Sequence, residues 1–535
     1  MTADTRRAAI RETLAALFFL VLAAVATRPL AWRLSSHTLP GPDPAIDLWT
    51  LHWLSEHAFA PSQLFEGNIF RPVTHAALYS DLSLGTAALV APLRFFISDP
   101  VVVYNVGLLL ALAFAGWAFA KLATALTANS WAGLLAGTLA AFGSHQLSHI
   151  YHLNLLTTGW LALLLLGLHG LATRPGPGAI AITALSFALS VQSSGYYAVS
   201  AALLPLLFAA LHARALRTPH ALRATAVAAL LGALLVLPYL LTFLEVRERD
   251  GLRRPPGMSR NMAFQPERDM SSHGVFYGKL LGNEGERLFP GVLSLALTGL
   301  AIRRRAPHAL FYASATTLLL LVSLGPELRV GDRTLPLPYA ALFGIPPLDA
   351  MRHPYTFAAV ATMLLAVLAA LGFATSRLAA FQWSGPVVVA LAVLETFAPA
   401  PAVREVKPGL PPVYDKLARL PPGLVLEVPL AAPDVMLWAA RHGRPVVNGD
   451  GAFLPSGHAL LERTMRREWL KVAPESIDET ETTALLRDEF ALRYLIVPCG
   501  RESSTCRLAG ALNGSRVFKL LEELPDGDRL YEVQR

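Results

Sequence analysis

From Gly41 to Asp81 the chain reads GPDPAIDLWTLHWLSEHAFAPSQLFEGNIFRPVTHAALYSD, and from Leu82 to Ile97 it reads LSLGTAALVAPLRFFI. The first stretch follows directly on an apolar N-terminal segment. It holds three aspartates, three histidines and several aromatics, and it is too polar to span a bilayer. The second is apolar but only 16 residues long, with Pro92 and Arg94 inside it. Whether it crosses the membrane decides on which side every later segment lies.

The surrounding composition is that of an integral membrane protein. Of 535 residues, 54% are hydrophobic and 16% charged, with mean hydropathy +0.45, against roughly 25% charged residues in soluble domains. The net charge of +7 does not point to nucleic acid. The basic residues form short clusters between apolar runs, the pattern that orients membrane proteins. Two cysteines exclude a disulfide framework and a cysteine-based metal site. The N-terminal MTADTRRAAIRETLAALFFLVLAAVATRPLAW has the charge distribution of a signal peptide. No convincing cleavage site precedes Arg28-Pro29, so it reads as a retained first span.

Apolar runs near 13–31, 102–122, 131–143, 155–172, 179–192, 196–212, 222–243, 288–302, 308–324, 354–375 and 385–399 are the candidate spans. If 82–97 lies in the interface, then Arg6, Arg7, Arg11, Lys121, Arg174, Arg214, Arg217, Arg223, Arg303 to Arg305 and Arg377 all share one face. Counting it as a span sets the first cluster against the 214–223 cluster, which the positive-inside rule disfavours. The expected fold is therefore an α-helical polytopic membrane protein of about eleven spans, with interfacial helices in its first outer loop. It is placed in the cytoplasmic (inner) membrane, N-terminus cytoplasmic. Its membrane domain covers 1–399, with the first outer loop at 32–101; segments 144–154, 244–287 and 325–353 share the outer face. An extracytoplasmic α/β domain covers 400–535, after a Pro/Gly-rich linker at 399–412. Strand-length apolar runs there are Leu424 to Val428, Pro445 to Val447, Tyr494 to Val497 and Leu530 to Val533, with helix-like stretches at 456–471 and 478–490. Cys499 and Cys506 suit either a local disulfide or two free thiols.

Several residues suggest chemistry. Asp43 and Asp47 are four apart and share a face if 42–56 is helical, with Asp43 a natural N-cap. Asp47 precedes Leu48-Trp49 and Leu51-His52-Trp53, and a dry aromatic setting raises the basicity of a carboxylate, as a general base requires. Asp81 ends the run Tyr79-Ser80-Asp81 and either caps the interfacial helix or faces the same cleft. His145, His149 and His152 lie four and three apart on one helical face. They lack the glutamate of HExxH, and with Asn154 they suit hydrogen-bond donation to phosphate or sugar better than metal binding. No metal-ligand set is assigned anywhere. Gln192 to Tyr197 (QSSGYY) is a polar break at a span's outer end. The arginines of 244–287 could clamp a phosphate. Arg352, beside His353 at the mouth of the tenth span, is a phosphate partner by position. For each of these the bland alternatives are caps, surface pairing or interfacial snorkelling. There is no Walker motif, dinucleotide fingerprint, GxSxG elbow or CxxC pair, so no nucleotide cofactor is expected; a divalent cation is left open.

This order of features resembles the GT-C superfamily of polytopic membrane glycosyltransferases, which includes the protein O-mannosyltransferases and bacterial enzymes that put sugars on lipid A. Within it, the pattern is similar to a set of bacterial membrane proteins without an assigned activity. The motifs are Asp47-Leu48-Trp49 with Trp53, Asn68-Ile69-Phe70 with Pro72, Tyr79-Ser80-Asp81 with Gly85, Asn105, His149 with His152-Leu153 and Trp160, and Arg352 with Pro354. It continues into Leu426-Glu427-Val428-Pro429 and Val447-Asn448-Gly449. The sequon-binding signature of oligosaccharyltransferases and a clear DxD are missing.

What the resemblance implies is inverting transfer of a sugar from a polyprenyl-phosphate donor to an extracytoplasmic glycan, lipid or protein acceptor. Asp47 or Asp81 would be the catalytic base; Asp43, Trp49, His52, His149, His152, Asn154, Arg352 and His353 would bind substrate. Two other classes compete. A lipid-linked glycan transporter or flippase would place ionisable groups at mid-membrane depth. A non-catalytic envelope assembly protein would scatter its acidic residues.

Overall fold

The computed structural model describes residues 3–254, 256–330, 333–342, 345, 351–470, 477–501 and 505–534. The chain forms two compact units. One comprises Met1–Trp32, Ser83–Leu89 and Val106–Ala402; the other comprises Arg33–Leu82, Val90–Asn105 and Val403–Arg535. The first loop and the tail thus fold together in the second unit, although some 300 residues of membrane helices separate them in sequence.

The first unit is helical. Five helices are long and apolar enough to cross a membrane: Arg6–Ala26, Pro100–Thr127, Leu153–Thr173, Pro219–Asp250 and Tyr355–Ala374. Shorter apolar helices include Pro177–Val191, Gly195–Leu211, Val292–Arg303, Ala309–Ser323 and Ser384–Thr396. This is a multi-pass membrane protein. Helix ends follow from local chemistry. Asn129 accepts from the backbone of Trp131 at 2.9 Å and Ala132 at 3.1 Å, capping Ser130–Ala141. Arg304 donates to the Thr375 carbonyl at 2.7 Å, placing a cation at a helix C-terminus. Tyr355–Ala374 is largely buried, and close approach requires Gly372 there: a Cβ would lie 1.9 Å from the Leu297 carbonyl oxygen. Pro219–Asp250 instead leaves Leu222, Leu230, Leu234 and Leu241 exposed, as a lipid-facing helix would. The ambiguous apolar segment forms Leu84–Val90 and a 3-10 turn, Ala91–Phe95. At 1.5 Å per residue Leu84–Phe95 spans roughly 18 Å, well short of a hydrocarbon core of about 30 Å.

The second unit contains the helix Pro42–Glu56 and a four-stranded mixed sheet. Its spatial order is Val425–Glu427, Tyr494–Val497, Arg529–Val533, Phe518–Glu523; the first pair is parallel and the others antiparallel. The parallel pair needs a long crossover, which Pro433–His442 and Ser456–Met465 occupy. Leu426, Val428, Leu495, Val497 and Tyr531 pack with Leu461, Trp469 and Leu508 in its core.

Several sequence expectations are corrected here. Pro445 to Val447 is not a full strand but a single bridge, Val425 to Val446. Phe518–Glu523 is an additional strand; it is a bulged edge with mostly exposed residues, so its hydrophobic period is weak. The linker is partly ordered, since Arg404–Glu405 pairs antiparallel with His37–Thr38. The stretch 478–490 is a series of short helical turns, not one helix. Cys499 and Cys506 are free thiols.

Candidate functional site

In the second unit the first-loop helix begins at Pro42 with Gly41 as its N-cap, so Asp43 is not the cap. Proline suits the first helical position, and Asp43 sits in the first turn, where the helix dipole favours an anion. Asp47 follows one turn later and is only 7% exposed. Trp49 is buried at 2% exposure and donates from Nε1 to Asn68 Oδ1 at 2.8 Å. Asn68 in turn donates to the Ala439 carbonyl at 2.7 Å. His52 meets Glu56 at 3.0 Å, and Arg94 meets the same carboxylate at 3.3 Å. The His52 hydrogen bond, helped by nearby positive charge, holds Glu56 down to about 2. His57 stacks on Trp53, and His75 pairs with Glu66 at 3.0 Å. His52, His57 and His75 therefore have separate partners.

The motif residues of the tail explain why this loop is held. Asn448 is 1% exposed; its amide donates to the carbonyls of Glu427 at 2.7 Å and Leu430 at 2.9 Å, and accepts from Glu427 N at 2.9 Å. Phe70 N donates to the Asn448 carbonyl, Arg71 N to that of Val446, and Phe453 N to that of Tyr79, each at 3.0 Å. Gly449 admits the Phe70 ring; a Cβ there would lie 2.5 Å from it. Asn68, Phe70, Tyr79 and Asn448 thus form a seam. Asp81 follows Tyr79 on one side of it and Asp450 precedes Gly451 on the other, with Gly451 in contact with the Tyr79 carbonyl. Burial raises the pKa of Asp450, and the charge of Asp43 adds to the rise. Asp43 and Asp450 therefore act on one another, with Asp47 one helical turn from Asp43 and Asp81 two residues beyond Tyr79 of the seam. Asp450 was missed in the sequence, although it directly follows Val447-Asn448-Gly449.

In the first unit the histidine turn meets the mouth of Tyr355–Ala374. The histidines do not lie along one helix: Ser144–Ser148 ends at His149, and His152 caps the next helix, Leu153–Leu156. Their rings still converge, with centroids 4.0 Å apart for His145 and His149 and 5.8 Å for His149 and His152. His145 Nδ1 bonds the Glu286 carbonyl at 2.9 Å, and His149 Nε2 meets the Glu286 carboxylate at 3.1 Å. Buried Asp269 orders the loop behind, accepting from Glu286 N at 3.2 Å and pairing with Arg268. Tyr355 lies 6.0 Å from both His145 and His149 and 5.2 Å from His353, and Tyr196 lies 5.6 Å from His353.

The electrostatics of this cluster are distinctive. Burial holds His145 far below the ordinary imidazole range, with His149 adding to the effect. Burial and then the Arg352 charge hold His353 down to about 3. Arg254 is itself lowered, first by burial and then by the Arg352 charge. Two guanidiniums thus repel one another beside imidazoles that stay neutral. Among the described residues, Arg352 forms no ion pair. Such a set of donors is suited to an anion, which would relieve the repulsion and accept charge-assisted hydrogen bonds. His149, His152, Arg352 and His353 are brought together here, with half-buried Asn154 following on the short helix after His152. Glu286 and Tyr355 were not foreseen; Tyr355 adjoins Arg352-His353-Pro354, whereas nothing local marks Glu286.

No family model matches the chain, and no curated protein does. Among solved structures it is similar to the archaeal oligosaccharyltransferase AglB from Archaeoglobus fulgidus in complex with an inhibitory peptide and a dolichol-phosphate. That likeness has 11% identity over 98% of this chain and 74% of that one, with TM-score 0.45. It is also similar to ArnT from Cupriavidus metallidurans bound to undecaprenyl phosphate, at 12% identity over 99% and 98% of the two chains, with TM-score 0.48. The apo Archaeoglobus fulgidus oligosaccharyltransferase gives 11%, 98%, 74% and 0.46 for the same quantities.

Proposed function

We propose that this membrane protein is a glycosyltransferase that uses a polyprenyl-phosphate sugar as donor and works on the extracytoplasmic side. The observation that carries the reading is the paired Arg254 and Arg352 beside neutral His353. A lipid-linked phosphate brings negative charge to such a place through the bilayer itself. Arg352 and Arg254 hold the phosphate, while His149, His152, Asn154 and His353 line the place for phosphate or sugar oxygens.

Asp47 takes the proton from the acceptor hydroxyl as its oxygen attacks the anomeric carbon. The carbon–phosphate oxygen bond breaks, and the carrier phosphate leaves as an anion. The burial of Asp47, at 7% exposed, supports its choice over Asp81, which is more exposed. Asp43 and Asp450 keep the acceptor side acidic, and His52 with Trp49 shapes it. Inversion at the anomeric carbon follows from a single displacement.

The test is sugar transfer from labelled polyprenyl-phosphate donor in membranes holding wild type or Asp47→Asn. A positioned base is worth about 10²–10⁴ in rate, so the variant should lose that factor while keeping its expression, thermal stability and donor affinity. Full activity in Asp47→Asn would remove the assignment.

A further inference from the structure

At the other end of the Leu153–Thr173 helix lies a group of side chains that the transfer reaction does not use. His169 is near its C-terminus, about 17 residues and roughly 26 Å along the helix from His152. His212 caps the C-terminus of Gly195–Leu211, and His308 is the N-cap of Ala309–Ser323. One potential ligand atom from each lies within 4.8 Å of the others. Their rings are 4.8 Å apart for His169 and His308, 5.8 Å for His169 and His212, and 6.5 Å for His212 and His308.

We infer that His169, His212 and His308 form a divalent transition-metal site, best suited to zinc, that ties three helix ends together. The ligand chemistry fits. Neutral imidazole is the commonest protein ligand for such an ion. His212 Nδ1 lies 3.2 Å from the Phe208 carbonyl, and one His169 nitrogen lies 3.1 Å from the Tyr312 hydroxyl. Hydrogen bonds of this kind at one ring nitrogen orient the imidazole and leave the other nitrogen for a cation.

The geometry fits as well. Zinc–nitrogen bonds of about 2.0–2.1 Å in tetrahedral array need nitrogens about 3.4 Å apart. Side-chain shifts that bring the nitrogens closer by up to about 1.4 Å close that gap. The fourth position then belongs to water. His212 sits at a helix C-terminus, whose dipole favours a cation. His308 reaches the group from a left-handed backbone conformation, φ 66°. Imidazole nitrogens select zinc, copper or nickel over magnesium and calcium. On the positive-inside reading this end of the helices faces the cytoplasm, so the metal is separate from transfer.

The test uses the full chain, purified in detergent, stripped with chelator and titrated with zinc chloride. One tightly held equivalent per chain is expected, together with a rise in thermal midpoint. His212→Ala and His308→Ala, at half-buried positions, should each weaken binding at least tenfold and abolish the thermal shift. Cobalt(II) in place of zinc should give a tetrahedral visible spectrum in wild type only. Absence of a bound equivalent in wild type would overturn the site. So would binding that survives both substitutions, or that is lost instead in His149→Ala.

Discussion

Arg352→Ala tests the anion site because it should act in opposite directions on binding and on stability. In the resting protein Arg352 depresses the pKa of Arg254 and of His353. Its removal relieves both repulsions. Because these groups are partly solvated, screening limits the gain to a few tenths of a kcal/mol. The phosphate complex loses a charge-assisted hydrogen-bonding partner worth about 1.5–3 kcal/mol. At about 1.4 kcal/mol per tenfold, that is a roughly 10- to 150-fold rise in Kd. The assay is binding of undecaprenyl phosphate to detergent-solubilised wild-type and variant protein, alongside ligand-free thermal unfolding. Arg352→Lys should recover only part of the affinity, since an ammonium does not reproduce the bidentate guanidinium fork. Unchanged affinity in Arg352→Ala would refute the anion site. A drop of several degrees in the ligand-free midpoint would also refute it, because Arg352 would then be a structural residue.

Two other perturbations follow from the same geometry. His353 titrates near 3 in the folded chain against an ordinary 6.5; a depressed histidine contributes stability above 6.5 that is lost as pH falls from there towards 3. Thermal midpoints should therefore decline below pH 6.5, by up to about 1.4 kcal/mol per pH unit for this group, and His353→Gln should flatten that slope; an identical slope in the variant would show that other groups govern it. Asn448→Ala strips three backbone groups, at Glu427 and Leu430, of their 2.7–2.9 Å partner bonds. With their desolvation cost exposed, it should destabilise the tail unit by about 3–5 kcal/mol, seen as faster proteolysis of the full chain within 403–535 and a lower thermal midpoint.

The motifs of the sequence divide in the structure between chemistry and architecture. Asp47-Leu48-Trp49 reads as a catalytic cluster, yet Trp49 spends its polar atom on Asn68. Asn68-Ile69-Phe70, Tyr79 and Val447-Asn448-Gly449, which the sequence offers only as motifs of the resemblance, form the seam that fastens the first loop to the tail. A short motif states which residue types recur together in order, but not whether they face solvent or one another. The histidine turn shows the reverse. Its helix breaks at His149, so the expected periodicity fails, while the rings converge because the break keeps them on one side.

The sequence by itself determined the hydropathy frame: the apolar helices, the polar first loop, the segment too short to cross and the α/β tail. These are legible because transfer between water and hydrocarbon is a property of each short window, summed along the chain. Only the tertiary structure decided which charges act together. Arg254 meets Arg352, His149 meets Glu286 at a separation of 137 residues, Asp43 acts on Asp450, and His169 joins His212 and His308. Coulomb forces and hydrogen bonds depend on distance through space, and spacing along the chain leaves that distance open.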